Sequence, residues 1–444
     1  MDKFLKMKSK KQSFENITWF LLLVIGLSFN WSILRIYSIP LLGSNLNAGD
    51  LLLMLVIFRS IAKRNWGLGP SYLSGLLVLS TIGIFVLGAI ICLININGNI
   101  SILIRFSRGF LAILAVSAYS HNFSKQIFET SLLGTILIST VALIFYSLNQ
   151  LGVLLYGSFD FTAAGAANDD FTNIIISEGL FKRFFFIEFI PVYFCLAICF
   201  FLFTVARKRR FLKVLAFTGI FSCYVVMMLN LSRSFLVTLI ILSISMIFNV
   251  SIYNRTKSFQ IFFTFIVAVI SGMLVFWILQ GSEGFIALVS WFQSLIDPSN
   301  PNGGYASVQV RQSHFTSAFE AFADSPLFGQ GIGMDFTEYH LKSGTLENPY
   351  NFGNTFSLRI AQTGLIGLFL WIGFNLIIIK HIYLIKYKTS EELLLRNTFF
   401  LVHMSSFISC LTSGDSTSNL SYGLVYACII LMTDYINKYP IPQL

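Results

Sequence analysis

The chain is 444 residues long, 55% hydrophobic and 11% charged, with a mean hydropathy of +0.75. Soluble domains carry close to a quarter charged residues, so this composition excludes a soluble globular protein and indicates a membrane one. The net charge of +10 does not point to nucleic acid, because no basic stripe with interleaved aromatics lies outside the apolar runs.

A basic start, Lys3 to Lys11, runs into the first apolar segment with no small-residue cleavage site. No cleavable signal peptide is expected there. A helix needs roughly 20 apolar residues to cross a bilayer, and about twelve such runs are legible. They lie near 17–34, 46–62, 72–94, 100–119, 127–151, 187–206, 211–230, 234–250, 259–280, 355–379, 393–413 and 420–436. The second is short and interrupted by Asp50 and Arg59. The expected fold is an all-α polytopic membrane protein, with 1–444 as a single membrane domain.

Lys and Arg set the orientation. The N-terminus, Lys63 with Arg64, Lys125, Arg207 to Arg210, Arg255 with Lys257, and Lys380 to Lys388 fall on one side of the expected spans. That side is the expected cytoplasmic face, with both termini on it. The six cysteines (Cys92, Cys195, Cys199, Cys223, Cys410 and Cys428) sit mostly in apolar runs and read as packing residues.

The opposite face favours Arg over Lys: Arg35, Arg105, Arg108, Arg183, Arg233, Arg311 and Arg359. A guanidinium fork grips phosphate oxygens through two bonds and never deprotonates, which suggests a site for a lipid-linked phosphate or pyrophosphate. Single interfacial Arg residues also snorkel to headgroups, so the set carries more weight than any member.

Two external loops are expected. The first, 152–186, holds Asp160, Asp169, Asp170, Glu178, Lys182 and Arg183. Further on, Leu229-Asn-Leu-Ser-Arg-Ser234 joins two spans with almost no loop and sets Arg233 at a membrane edge. The second loop, 281–353, is the long one, and its length alone marks it as functional or disordered. Within it, 306–322 reads as a short helix carrying Arg311 and His314. Those two residues pair a cation for pyrophosphate with an imidazole able to take a proton.

Ser325-Pro-Leu-Phe-Gly-Gln-Gly-Ile-Gly333 follows, too Gly-rich for helix. It can offer N–H groups to an anion, although a structural turn is its expected role. Asp335, Glu338, His340 and Glu347 are available bases without distinguishing spacing. Pro298, Pro301, Gly303, Gly304 and the Gly329–Gly333 run flank the helix, a pattern of a rigid piece on two hinges. No metal-ligand spacing is present. Metal-independent chemistry is expected, with Arg stabilising the charge that develops on a leaving pyrophosphate.

Three segments carry a resemblance: Leu231-Ser-Arg-Ser234; the Arg311 helix leading into Asp324-Ser-Pro-Leu-Phe-Gly-Gln-Gly-Ile-Gly333; and Asn354-Thr-Phe with Thr363-Gly-Leu-Ile-Gly-Leu-Phe369. Together with a large external loop late in the chain, they resemble the O-antigen polymerase and ligase superfamily. The resemblance implies a C-type glycosyltransferase-like architecture of about 12 transmembrane helices in the bacterial inner (plasma) membrane. It implies donors on undecaprenyl pyrophosphate, use at the outer face, and no metal or other cofactor. Ligases in this superfamily typically have a His before the Asn that starts the span after the large loop. Here Gly353 precedes Asn354.

The departure favours a polymerase of lipid-linked oligosaccharide repeat units for O-antigen or a related surface polysaccharide. The alternative is an O-antigen or O-oligosaccharide ligase. Arg233 and Arg311 match the positions that bind donor pyrophosphate, with Arg183 and Arg359 as second-rank candidates. Arg311, His314 and His340 form the expected catalytic set. Expected partners are undecaprenyl-pyrophosphate-linked oligosaccharides, membrane lipids and a chain-length regulator, with no nucleic acid. A flippase or transporter is the alternative of another class. Transporters tend to bury charges near the midplane and to repeat their halves, and neither trait is legible here.

Overall fold

The computed structural model describes residues 17–23, 39–41, 44–46, 48–62, 72–95, 103, 107–114, 125–137, 175–176, 181–182, 189–206, 209–230, 233–296, 304–342, 354–384, 386–412 and 420–441. The named helices are α1 (Ala48–Ala62), α2 (Tyr72–Ile94), α3 (Phe189–Val205), α4 (Arg210–Asn230), α5 (Arg233–Tyr253) and α6 (Arg255–Ile296). They continue with α7 (Gly304–Asp324), α8 (Thr337–Lys342), α9 (Thr355–Tyr383), α10 (Ser390–Thr412) and α11 (Leu420–Lys438). Two small antiparallel hairpins interrupt the helical pattern: β1 (Ile39–Leu41) with β2 (Ser44–Leu46), and β3 (Ile175–Ile176) with β4 (Phe181–Lys182). The pair β1–β2 registers Ile39 against Leu46.

The protein is an all-α polytopic membrane protein. Among the described residues five helices are long and apolar enough to cross a membrane: Gly75–Ile94, Leu236–Tyr253, Arg255–Leu274, Thr355–Tyr383 and Ser390–Leu411. A shorter apolar helix covers Pro191–Val205. The spans expected near 17–34, 100–119 and 127–151 lie partly outside the described residues.

Helix α3 is the hub. It packs against α4, α5, α10 and α11, and it is buried on every side from Val192 to Leu202. A helix apolar all round belongs in an interior, which is where α3 sits. Lipid offers no hydrophobic drive for helix association, so close contacts and hydrogen bonds between spans do that work. The Tyr224 phenol pairs with the Ser243 hydroxyl across α4 and α5. Asn397 Nδ2 donates to Asn249 Oδ1 at 3.0 Å across α5 and α10.

The basic helix ends gather at one end of the bundle. Lys257 Nζ, at the start of α6, donates to the Phe203 and Thr204 carbonyls at the end of α3. The Tyr253 hydroxyl donates to Glu391, and Lys386 N donates to Asn437 Oδ1. Arg396 lies over the Tyr383 and Tyr387 rings. Here α10 starts with a capping box: Glu392 N donates to Thr389 Oγ1 while Glu392 Oε2 accepts from Thr389 N. The first residues of α5 and α9 therefore lie at the other end, together with α7 and α8.

One boundary differs from expectation. Helix α6 continues through Gly281 and Gly284 to Ile296, for 42 residues. That is about 63 Å at 1.5 Å per residue, twice the roughly 30 Å bilayer core. The Gly pair reads as a stop, but each glycine costs only about 1 kcal/mol in a helix, and the following Phe-Ile-Ala-Leu-Val run resumes the helical period. The segment 281–353 therefore opens as a helix extension. The expected helix at 306–322 is present and slightly longer, as α7.

Candidate functional site at a broken span

Helix α9 is broken by backbone geometry. Gly364 sits at φ 58 and ψ −158, a region that side chains rarely adopt. The break removes the helical bonds that Leu365 N and Ile366 N would make to the Ala361 and Gln362 carbonyls. An unsatisfied backbone group at membrane depth costs several kcal/mol, so such a break survives only where protein covers it.

The Gly-rich run provides that cover. Leu365 N donates to the Pro326 carbonyl at 2.9 Å and Ile366 N to the Leu327 carbonyl at 3.2 Å. In return, Gln330 N and Gly331 N donate to the Ala361 and Gln362 carbonyls, each at 2.8 Å. The loop is also tied to α2: Ile332 N donates to the Gly88 carbonyl and Asn95 Nδ2 to the Gln330 carbonyl. Gly329, Gly331 and Gly333 all have positive φ. A Cβ on Gly329 would strike the Gln362–Thr363 backbone, and one on Gly364 would lie 2.6 Å from the Leu327 carbonyl. The two glycine motifs, some thirty residues apart in sequence, are two halves of one clamp.

Above the break, the first part of α9 is buried and polar. Asn354 Oδ1 caps the helix by accepting from Ser357 N at 2.8 Å. Thr355, Ser357, Arg359, Gln362 and Thr363 are all buried. Thr355 Oγ1, Ser357 Oγ and Gln362 Nε2 have no hydrogen-bond partner among the described residues. Arg359, 1% exposed, donates to Gln362 Oε1 at 3.4 Å and lies 5.5 Å from the Phe110 ring centre. Tyr422 of α11 is within its electrostatic reach, and Gly423 next to it approaches the Gly109 carbonyl closely. A guanidinium placed here costs a few kcal/mol unless it meets a counter-charge or wet cavity. This first part of α9 is thus buried, cationic and rich in donors.

The other expected residues distribute as follows. Arg233 opens α5 at the same end of the bundle. Arg311 lies on α7, three residues before His314. His314 of α7 and His340 of α8 come together, ring centres 5.3 Å apart at 62°, and both are buried. Asp335 caps α8 by accepting from Thr337 N at 2.8 Å, and Glu338 is exposed in its first turn. Arg35, Arg105, Arg183 and Glu347 lie outside the described residues. The Tyr339 hydroxyl donates to Asp324 Oδ2 at 2.7 Å, tying α8 to the end of α7. Burial first, and then the Asp324 carboxylate, push this phenol well above its ordinary range. No group of His, Cys, Asp or Glu among the described residues could hold a metal ion.

Residues 218–372 match the family described as O-antigen ligase. Over that stretch, about a third of the chain, the protein is similar to this family. The matched stretch runs from within α4 past the break in α9, so it includes Arg233, the clamp, the His314–His340 contact and Arg359. No curated protein matches the chain. That similarity supports a role in surface-polysaccharide assembly at a membrane. Sequence reading missed Phe110 and Tyr422, which meet Arg359 only through the fold, and Gln362, one helical turn on from it. It also missed that the two glycine motifs bind each other, since nothing in one chain pairs distant glycines.

Proposed function

We propose that the protein polymerises lipid-linked oligosaccharide repeat units at the outer face of the bacterial inner membrane. The terminal sugar hydroxyl of one unit attacks the anomeric carbon of the growing glycan on undecaprenyl pyrophosphate. The new glycosidic bond forms as the carbon–phosphate oxygen bond breaks, undecaprenyl pyrophosphate leaves, and the hydroxyl proton passes to a base. Arg233 and Arg311 hold the donor pyrophosphate, with Arg359 and Arg183 in support. Anions of this kind are gripped best by guanidinium forks.

The base is drawn from His314 and His340. Their rings are buried against each other, so the α7–α8 contact has to open for either to meet a hydroxyl. The Gly329–Gly333 run, expected as a hinge, is instead an anchor bonded to α9 and α2. The basic helix ends mark the cytoplasmic face by the positive-inside rule, with both termini there. The reaction needs no metal, because the leaving pyrophosphate is acidic and Arg neutralises it. A chain-length regulator is the expected protein partner.

The observation that carries polymerase over ligase is Gly353 before Asn354, with Asn354 committed to capping α9. A strain lacking the protein is expected to show a surface glycan one repeat unit long on gels. Absence of any repeat on the acceptor, with long chains accumulating on undecaprenyl pyrophosphate, would make ligase the correct reading.

A further inference from the structure

Helix α7 has three faces. His314, Ser317, Ala318 and Ala321 are buried. Gln312, Thr316, Glu320 and Asp324 form an exposed polar flank. Between them runs an aromatic ridge: Phe315 and Phe319 have ring centres 4.6 Å apart, and Phe319 and Phe322 6.1 Å apart. Phe315 is 45% and Phe319 40% exposed, and beyond the helix Leu327 and Phe328 are exposed too. A ridge of this size facing water would cost several kcal/mol of apolar exposure.

The clamp fixes its depth. The Leu327 carbonyl accepts from Ile366 N, so Leu327 and Phe328 sit beside the turn of α9 where its outward apolar stripe begins. That stripe, Ile366, Phe369, Ile372 and Leu376, is exposed along a membrane span. From Ile366 to Tyr383 the helix rises about 26 Å, close to the roughly 30 Å hydrocarbon core. The outer edge of the core therefore falls at Ile366, beside Leu327 and the exposed Phe328 that follows it.

We propose that α7 is an interfacial helix whose Phe315–Phe319–Phe328 ridge sits in the outer leaflet of the bilayer, with its Gln312–Glu320 flank in the headgroups and water. The occupant of the ridge is membrane lipid. The flank carries Glu320 and Asp324, so burial of the aromatic side, and not attraction to anionic headgroups, is what would hold the helix to lipid. The lid over the site is then carried by the membrane, on the side from which an amphipathic substrate has to enter. The inference rests on the span assignment of α9 and not on the polymerase reading.

The test uses the full chain in liposomes without substrate, spin-labelled at one introduced cysteine. The native cysteines are all buried, so they compete little for label. F319C and F328C are expected to collide with oxygen as strongly as F369C, the reference on the span. E320C is expected to collide with a water-soluble nickel chelate. Nickel access at F319C and F328C equal to that at E320C would overturn the proposal in favour of a solvated lid. Low access to both reagents would overturn it in favour of a protein cover, from this chain or a second copy. Activity does not enter this readout, so failure of the polymerase reading leaves it intact.

Discussion

The two parts of α9, divided by the kink at Gly364, serve opposite ends. Before Gly364 the helix is buried, polar and capped, with Arg359 and Gln362 held in the interior. After Gly364 it turns apolar, with Phe369 and Leu376 facing outward and Trp371, Phe374 and Ile378 inward. The second part ends on a buried pair, His381 Nε2 3.4 Å from Asp434 Oδ1 of α11. The first part holds Thr355 Oγ1, Ser357 Oγ and Gln362 Nε2 without a hydrogen-bond partner among the described residues, while the second holds Trp371 Nε1 and satisfies Asn375 Nδ2 on the Trp371 carbonyl. Donors without partners, kept at a membrane edge, are a cost to stability that a ligand site explains. The break at Gly364 separates the two regimes.

The largest effect expected from challenging this contrast is at Arg359. R359A should lower chain extension at least about 100-fold, the usual scale for losing a group that stabilises developing charge. R359K should recover little of it, because an ammonium cannot replace the planar fork. Polymer length on gels and membrane abundance by immunoblot read this out. Near-normal polymer from the Lys variant would remove Arg359 from the site.

Next comes the clamp. G364A and G329A put a Cβ into backbone across the break, at positive φ, and should destabilise the protein by roughly 3 kcal/mol or more. The melting temperature in detergent should fall, and activity should fall with it. Unchanged melting in both variants would mean that the break is not held as described. At the inner end, D434N leaves His381 without its carboxylate and should cost about 1–3 kcal/mol of stability. Activity per folded molecule should remain. Loss of chemistry without loss of stability would show that the inner pair belongs to the mechanism.

The smallest effect concerns the lid. The Tyr339 phenol is held protonated in the folded protein, so its folded pKa lies above its ordinary value of 10.0. A raised pKa contributes stability that is complete below pH 10 and fades as pH rises beyond it. Hydrogen exchange of residues 337–342, corrected for its intrinsic pH dependence, should be flat through neutral pH and rise only above about 10. Y339F should abolish that rise. A step near neutral pH would point to the His314–His340 contact instead.

Much of this was legible in order of residues. Twenty apolar residues demand a helix wherever water is absent, and Lys and Arg sort to one face, so the helix bounds at 72–94, 189–205 and 233–253 nearly coincide with expectation. Gly281 and Gly284 misled, because glycines weaken a helix without ending it, whereas Gly364 ends one because segments distant in sequence supply replacement bonds. The difference lies outside each glycine's own sequence. Composition and periodicity determined that this is a bundle of spans with a long late insertion. The tertiary structure alone decided that the Ser325–Gly333 run closes the gap at Gly364, that His314 meets His340, and that Arg359 meets Phe110 and Tyr422. Local pattern sets which backbone groups each segment can satisfy by itself. Those left over find partners only when distant segments are brought together.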